Sequence, residues 1–195
     1  MPCECYSLHG IFIKETTVKS IYILLTKTET ILSKCIHAAG NNEYTHSALS
    51  LDDTFTRLYS FGRKYRYSYL PAGFVHESVN KGLMGSSDDI DCAVYELKIT
   101  NRQYKKLSRI LDDMEAEMEL YQYNILGLIL CFFGVENQRK YHYFCSQFVS
   151  YVLMKSGAAQ FGKAPSLIKP CDFTMIPEAV QIFEGNMGQL RGDFL

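Results

Sequence analysis

The sequence predicts an α+β domain, and three observations carry that expectation. Short runs of strand-forming residues fill most of the N-terminal half. One long amphipathic helical pattern follows them, from Thr100 onward. A second helical pattern opens at Cys145 in the C-terminal third. Helices gathered after strands, instead of alternating with them, favour a small, mainly antiparallel sheet packed with helices.

Ile21-Tyr22-Ile23-Leu24-Leu25 is a short apolar run of strand formers and reads as a buried strand. Thr28 or Thr30 can cap a helix through Ile31, Leu32, Cys35 and Ile36, ending near Gly40. Tyr44 to Leu51 reads as a strand carrying His46, turned by Asp52-Asp53 into a hairpin partner over Phe55 to Phe61. Gly73 to Glu77 adds a short strand, and Lys81 to Asp89 an exposed loop. Cys92 to Ile99 alternates as a strand, after which Thr100 or Asn101 caps a helix. Tyr104, Leu107, Leu111, Met114, Met118 and Tyr121 line one face of that helix, so the acidic run Asp112 to Glu119 is solvated surface. The apolar stretch Ile125 to Val135 reads as buried, and Glu136 to Lys140 as a charged loop. A helix from Cys145 ends near Gly157; Pro165, Pro170 and Pro177 then carry the tail over the surface to a short helix around Ala179 to Phe183. The 195 residues make one domain, with 1–20 and 186–195 peripheral.

The chain is 47% hydrophobic and 21% charged, with a formal net charge of −1. That balance gives no electrostatic case for nucleic acid or an anionic membrane as partner. The basic, tyrosine-interleaved run Gly62-Arg63-Lys64-Tyr65-Arg66-Tyr67 reads as a solvated loop after a strand. Seven cysteines at irregular spacing do not form a disulfide framework, and no signal peptide is visible, which together favour a reducing, cytoplasmic setting. The longest apolar stretch falls well short of the ~20 residues that span a bilayer, so no stable membrane insertion is expected. Cys3-x-Cys5 with His9 makes a poor tetrahedral zinc site, and no cofactor or metal is implied. Oligomeric state is left open.

Tyr143-Phe-Cys-Ser-Gln-Phe-Val-Ser-Tyr-Val-Leu153 places Cys145 in the first turn of a helix. Unpaired backbone N–H groups there favour thiolate over thiol, and the thiolate is the nucleophile. Thiol hydrolysis also needs an imidazole partner, a group that orients the imidazole, and a donor to the oxyanion. His46 suits the imidazole role because a strand holds its side chain rigidly, and Ser60 on the partner strand can orient the ring. His142, and His76 with Glu77, are the alternative bases. Tyr44 and Tyr123 can donate to an oxyanion or a substrate carbonyl, with aromatic packing as their other reading.

Four segments resemble the permuted branch of the papain-like NlpC superfamily, the YiiX/YebB-like cysteine hydrolases. They are Tyr44-Thr45-His46-Ser47-Ala48-Leu49, Leu58-Tyr59-Ser60-Phe61-Gly62-Arg63, Phe144-Cys145-Ser146-Gln147-Phe148-Val149, and the tail from Pro165-Ser166 to Pro170-Cys171-Asp172. The resemblance runs from about Ile21 to Gly185. It implies a circularly permuted papain-like fold with the histidine strand ahead of the nucleophile helix, Cys145 as nucleophile and His46 as base. Relatives such as the lecithin:retinol acyltransferase group carry a histidine, and others an acid, where this chain has Ser60; Glu77 is the stand-in for the missing charge. The implied substrate is a peptide amide or isopeptide, a cell-wall fragment among them. A lipid acyl ester, with Ile125 to Val135 lining its pocket, is the second class. A binding module that keeps the fold without turnover is the third reading.

Overall fold

The computed structural model describes residues 18–28, 44–65, 68–82 and 84–194. The expected helix over 30–36, the Cys3/Cys5/His9 group and Cys35 lie outside them. Eight strands form one sheet: β1 (Val18–Thr26), β2 (His46–Ser50), β3 (Leu58–Tyr65), β4 (Ser68–Glu77), β5 (Asp91–Thr100), β6 (Gln122–Tyr123), β7 (His142–Tyr143) and β8 (Ala179–Asn186). Their order is β7-β6-β4-β3-β2-β1-β5-β8. Every pairing is antiparallel except β6 with β7. Four helices accompany them among the described residues: α1 (Asn101–Ala116), α2 (Ile125–Phe132), α3 (Cys145–Ser156) and α4 (Met187–Phe194). The architecture is α+β, with a mixed eight-stranded open sheet packed with helices.

Both faces of the sheet are covered. Ile21, Ile23, Leu25, Leu49 and Phe61 meet Leu107 and Leu111 of α1 and Phe148, Val149 and Val152 of α3. Tyr22, Leu24, Ala48, Leu58 and Val94 meet Phe55, Met84, Met187 and Leu190 on the other side. A strand buried on both faces cannot alternate apolar with polar, which is why Ile21 to Leu25 is a continuous apolar run.

Several expectations are corrected here. β3 runs on to Tyr65, so Gly62 to Tyr65 belong to a strand and not to a solvated loop; 66 and 67 lie outside the described residues. Within Lys81 to Asp89, Met84 is fully buried. The Thr100 cap forms, with Gln103 completing a capping box, but α1 stops at Ala116 and Met118–Leu120 is a 3-10 turn. The tail is less superficial than its prolines suggested, since Ile168 and Phe173 are fully buried. Ala179 to Phe183 is no helix but the start of β8, an edge strand on β5. Five residues are too few for periodicity to separate the two, and β-branched Val180 and Ile182 favour the strand. Residues 187–194, within the segment 186–195 expected to be peripheral, are not so, because Met187 and Leu190 of α4 plug the second core.

The largest correction concerns Ile125 to Val135. Its first part is α2, capped by Asn124, whose Oδ1 accepts from the Gly127 N–H at 3.0 Å. Only Gly127, Leu128 and Cys131 of α2 are buried. Ile125, Leu126, Ile129, Phe133 and Val135 face solvent.

Candidate functional site

β2 and β3 are paired only at Leu49 with Tyr59 and Ser50 with Leu58. Beyond those two rungs the N-terminal half of β2 parts from β3. The Ser60 hydroxyl takes up the missing ladder contact by donating to the Ser47 carbonyl at 3.3 Å. His46, Ser60 and Glu77 alternate in phase with Ala48, Leu58 and Val75, so their side chains leave the sheet on the face opposite the α3 packing. α3 begins at Cys145, and the backbone N–H of Ser47 donates to the Cys145 sulfur. The parting of the two strands is therefore where the thiol meets the imidazole.

His46 Nε2 lies 2.9 Å from Glu77 Oε2 and 3.1 Å from Ser60 Oγ. A hydrogen bond also links the His46 side chain with Cys145. Cys145 is 4% exposed, while the His46 and Glu77 side chains are 14% and 19% exposed. The group is enclosed without being sealed.

Burial pushes the imidazole pKa down, but the Glu77 charge and the hydrogen bonds with Cys145 and Glu77 outweigh it, holding His46 well above 6.5. Burial likewise pushes the Cys145 thiol up. The His46 hydrogen bond and charge, with the N–H groups of Ser47 and Ser146, reverse that and leave it below 9.0. Glu77 is raised by burial and lowered further by the charge and hydrogen bond of His46, a hydrogen bond from Ser60 and the charge of Arg63, to end below 4.5. Each group is thus biased toward its charged form by the others. The remaining described cysteines behave in the opposite way. Burial raises Cys92 to about 12 and Cys131 to about 11, and Cys171 is also raised.

Cys145, His46, Ser60 and Glu77 come together. Glu77, the stand-in for the charge that Ser60 lacks, sits on the ring nitrogen. Tyr123 joins them: burial first, then the charge of Cys145 and a hydrogen bond to it, hold its hydroxyl well above 10.0. Tyr44 does not join. It is buried in the main core and borders a hollow of about 330 Å³ with Lys27, Asp91, Cys92 and Asn186. The alternative bases are engaged elsewhere. His76 Nε2 is 3.2 Å from Glu115 Oε1, and His142 Nδ1 is 2.8 Å from the Lys140 carbonyl. Among the described residues, no group of three His, Cys, Asp or Glu side chains is placed to hold a metal.

The two residues that follow Cys145 build the site's framework. Gln147 Oε1 accepts from the Phe144 N–H at 3.4 Å and from Asn124 Nδ2 at 3.3 Å. The start of α3 and the Tyr123-Asn124 segment are thereby tied together in a fully buried link. Ser146, next to the sulfur, donates to the Ile168 carbonyl at 2.7 Å and fixes the tail under α3. The Tyr-Asn pair ahead of an apolar helix, and Gln three residues after Phe144, were the available cues; both are ordinary helix-start chemistry. No family model, curated protein or solved structure matches the chain.

Proposed function

We propose that the chain is a cysteine hydrolase with a circularly permuted papain-like fold. The observation that carries the reading is His46, bonded through Nε2 to Glu77 at 2.9 Å and hydrogen-bonded to the thiol at the start of α3. Cys145 attacks a substrate carbonyl carbon; a C–S bond forms and the carbonyl electron pair moves to oxygen. The N–H of Cys145 and the Tyr123 hydroxyl are the donors at hand for that oxyanion. Collapse expels the amine or alcohol, which takes a proton from the His46 imidazolium. His46 then draws a proton from water, whose oxygen displaces the thiol from the thioester.

The charge that Ser60 cannot supply comes from Glu77, one strand further on. This supports turnover over a module that merely keeps the fold. An amide or isopeptide is the first substrate class. The solvent-facing apolar side of α2 favours an acyl ester as the second.

Iodoacetamide labelling across pH, read by mass spectrometry of each cysteine peptide, tests the pair. Cys145 should alkylate with an onset below that of an ordinary thiol and ahead of Cys92 and Cys131, and His46→Ala should remove that advantage. A p-nitrophenyl ester should then give a nitrophenolate burst matched by an acyl adduct on Cys145, absent in Cys145→Ala. A Cys145 profile no different from those of Cys92 and Cys131 would overturn the reading.

A further inference from the structure

We propose that the outer face of α2 is a docking surface for an anionic lipid bilayer. Ile125, Leu126, Ile129 and Phe133 are 45, 52, 47 and 77% exposed, and Val135 beyond the helix is 48% exposed. At helical spacing those first four fall within an arc of about 100°, a single stripe. The opposite side of α2 is held by Leu128 and Cys131 against Phe144, the residue before Cys145. The stripe is therefore fixed on the body of the protein, and Tyr123, which precedes the α2 cap, bonds Cys145.

Charge selects the occupant. Lys169 Nζ stands 5.2 Å over the ring of Phe132 at the C-terminal end of α2. Arg139 and Lys140 are exposed at the other end, in the 136–140 segment that Asn124 binds through the Asn137 carbonyl. Glu136 is the acid of that segment, and Lys163 nearby is neutralised by Asp172 at 2.8 Å. The whole chain carries −1, so these cations are a local excess. The stripe itself has no side-chain donor or acceptor with which to orient a folded partner. A bilayer asks only for apolar area and nearby positive charge. Docking does not depend on turnover at Cys145.

Vesicle co-sedimentation of the full chain tests this, with phosphatidylcholine alone and with added phosphatidylglycerol. The protein should partition onto both, and more strongly onto the anionic vesicles. Ile129→Ser with Phe133→Ser should lower partitioning at least about tenfold with the melting temperature kept, since both side chains already face solvent. Arg139→Gln with Lys140→Gln should reduce binding to the anionic vesicles alone, on the order of fivefold per cation. Cys145→Ala should bind as the parent does, which separates this proposal from the hydrolase reading. Absence of binding to either vesicle, or equal binding by the serine pair, overturns it. So does a dimer in light scattering that the serine pair disperses without any vesicle binding, which would make a second copy the occupant.

Discussion

Glu77 decides how far His46 and Cys145 can hold opposite charges. Its carboxylate raises the imidazole, and the raised imidazole lowers the thiol. Glu77→Gln keeps the shape and a hydrogen-bonding group but removes the charge. The His46 pKa should then fall and that of Cys145 rise, so the pH window in which both are charged narrows from each side. We expect the alkylation profile of Cys145 to shift to higher pH, and ester turnover to drop by about 10²-fold. Ser60→Ala should cost less than about tenfold, because the hydroxyl brings no charge to the ring. Ser47 presents the reverse case. Its Oγ is fully buried and has no partner among the described residues, so Ser47→Ala should leave stability unchanged or raise it by ~1 kcal/mol in thermal melts.

Among the elements, α2 links the site to the surface through a glycine. A Cβ on Gly127 would fall 2.1 Å from Asn124 Nδ2, so the Asn124 cap and its bond to Gln147 require that residue to be glycine. Gly127→Ala should destabilise the fold by about 1–3 kcal/mol in denaturant titration, and should also blunt Cys145 reactivity by releasing Tyr123. Most elements are legible in the sequence because their signals are local: the cap at Thr100 or Asn101, the three- and four-residue apolar spacing of α1, and Gly157, whose φ of 82° closes α3. Read locally, β8 passes for a helix and α2 for core. The deciding contact for β8, with β5, lies far along the chain, and for α2 only the side facing Phe144 finds a partner. Hydrophobicity alone does not say whether an apolar face will find a partner.

For the molecule as a whole, the site is also a pH-dependent stabilising element. Glu77 is lowered on folding, so its contribution is complete above its ordinary 4.5 and is lost as pH falls through the lower folded value. His46 is raised on folding, so its contribution is complete below 6.5 and is lost as pH rises through the higher folded value. The melting temperature of the parent should therefore exceed that of Glu77→Gln most between those two limits. The gap should close toward acid pH and narrow toward alkaline pH. On residue type His46 is one of three candidate bases, and the family resemblance is what singles it out as the partner of Cys145. Glu77 could be named but not placed, since its approach to Nε2 depends on two sheet registers that no local pattern encodes. A last consequence concerns Arg191, which donates to the Val79 and Met84 carbonyls at 2.8 and 3.2 Å and pairs with Asp88. The segment leaving Glu77 is thus latched by a guanidinium more than a hundred positions downstream. A nascent chain on the ribosome carries the thiol and the imidazole before that latch emerges, so the segment that follows Glu77 is tied down only once Arg191 has been made.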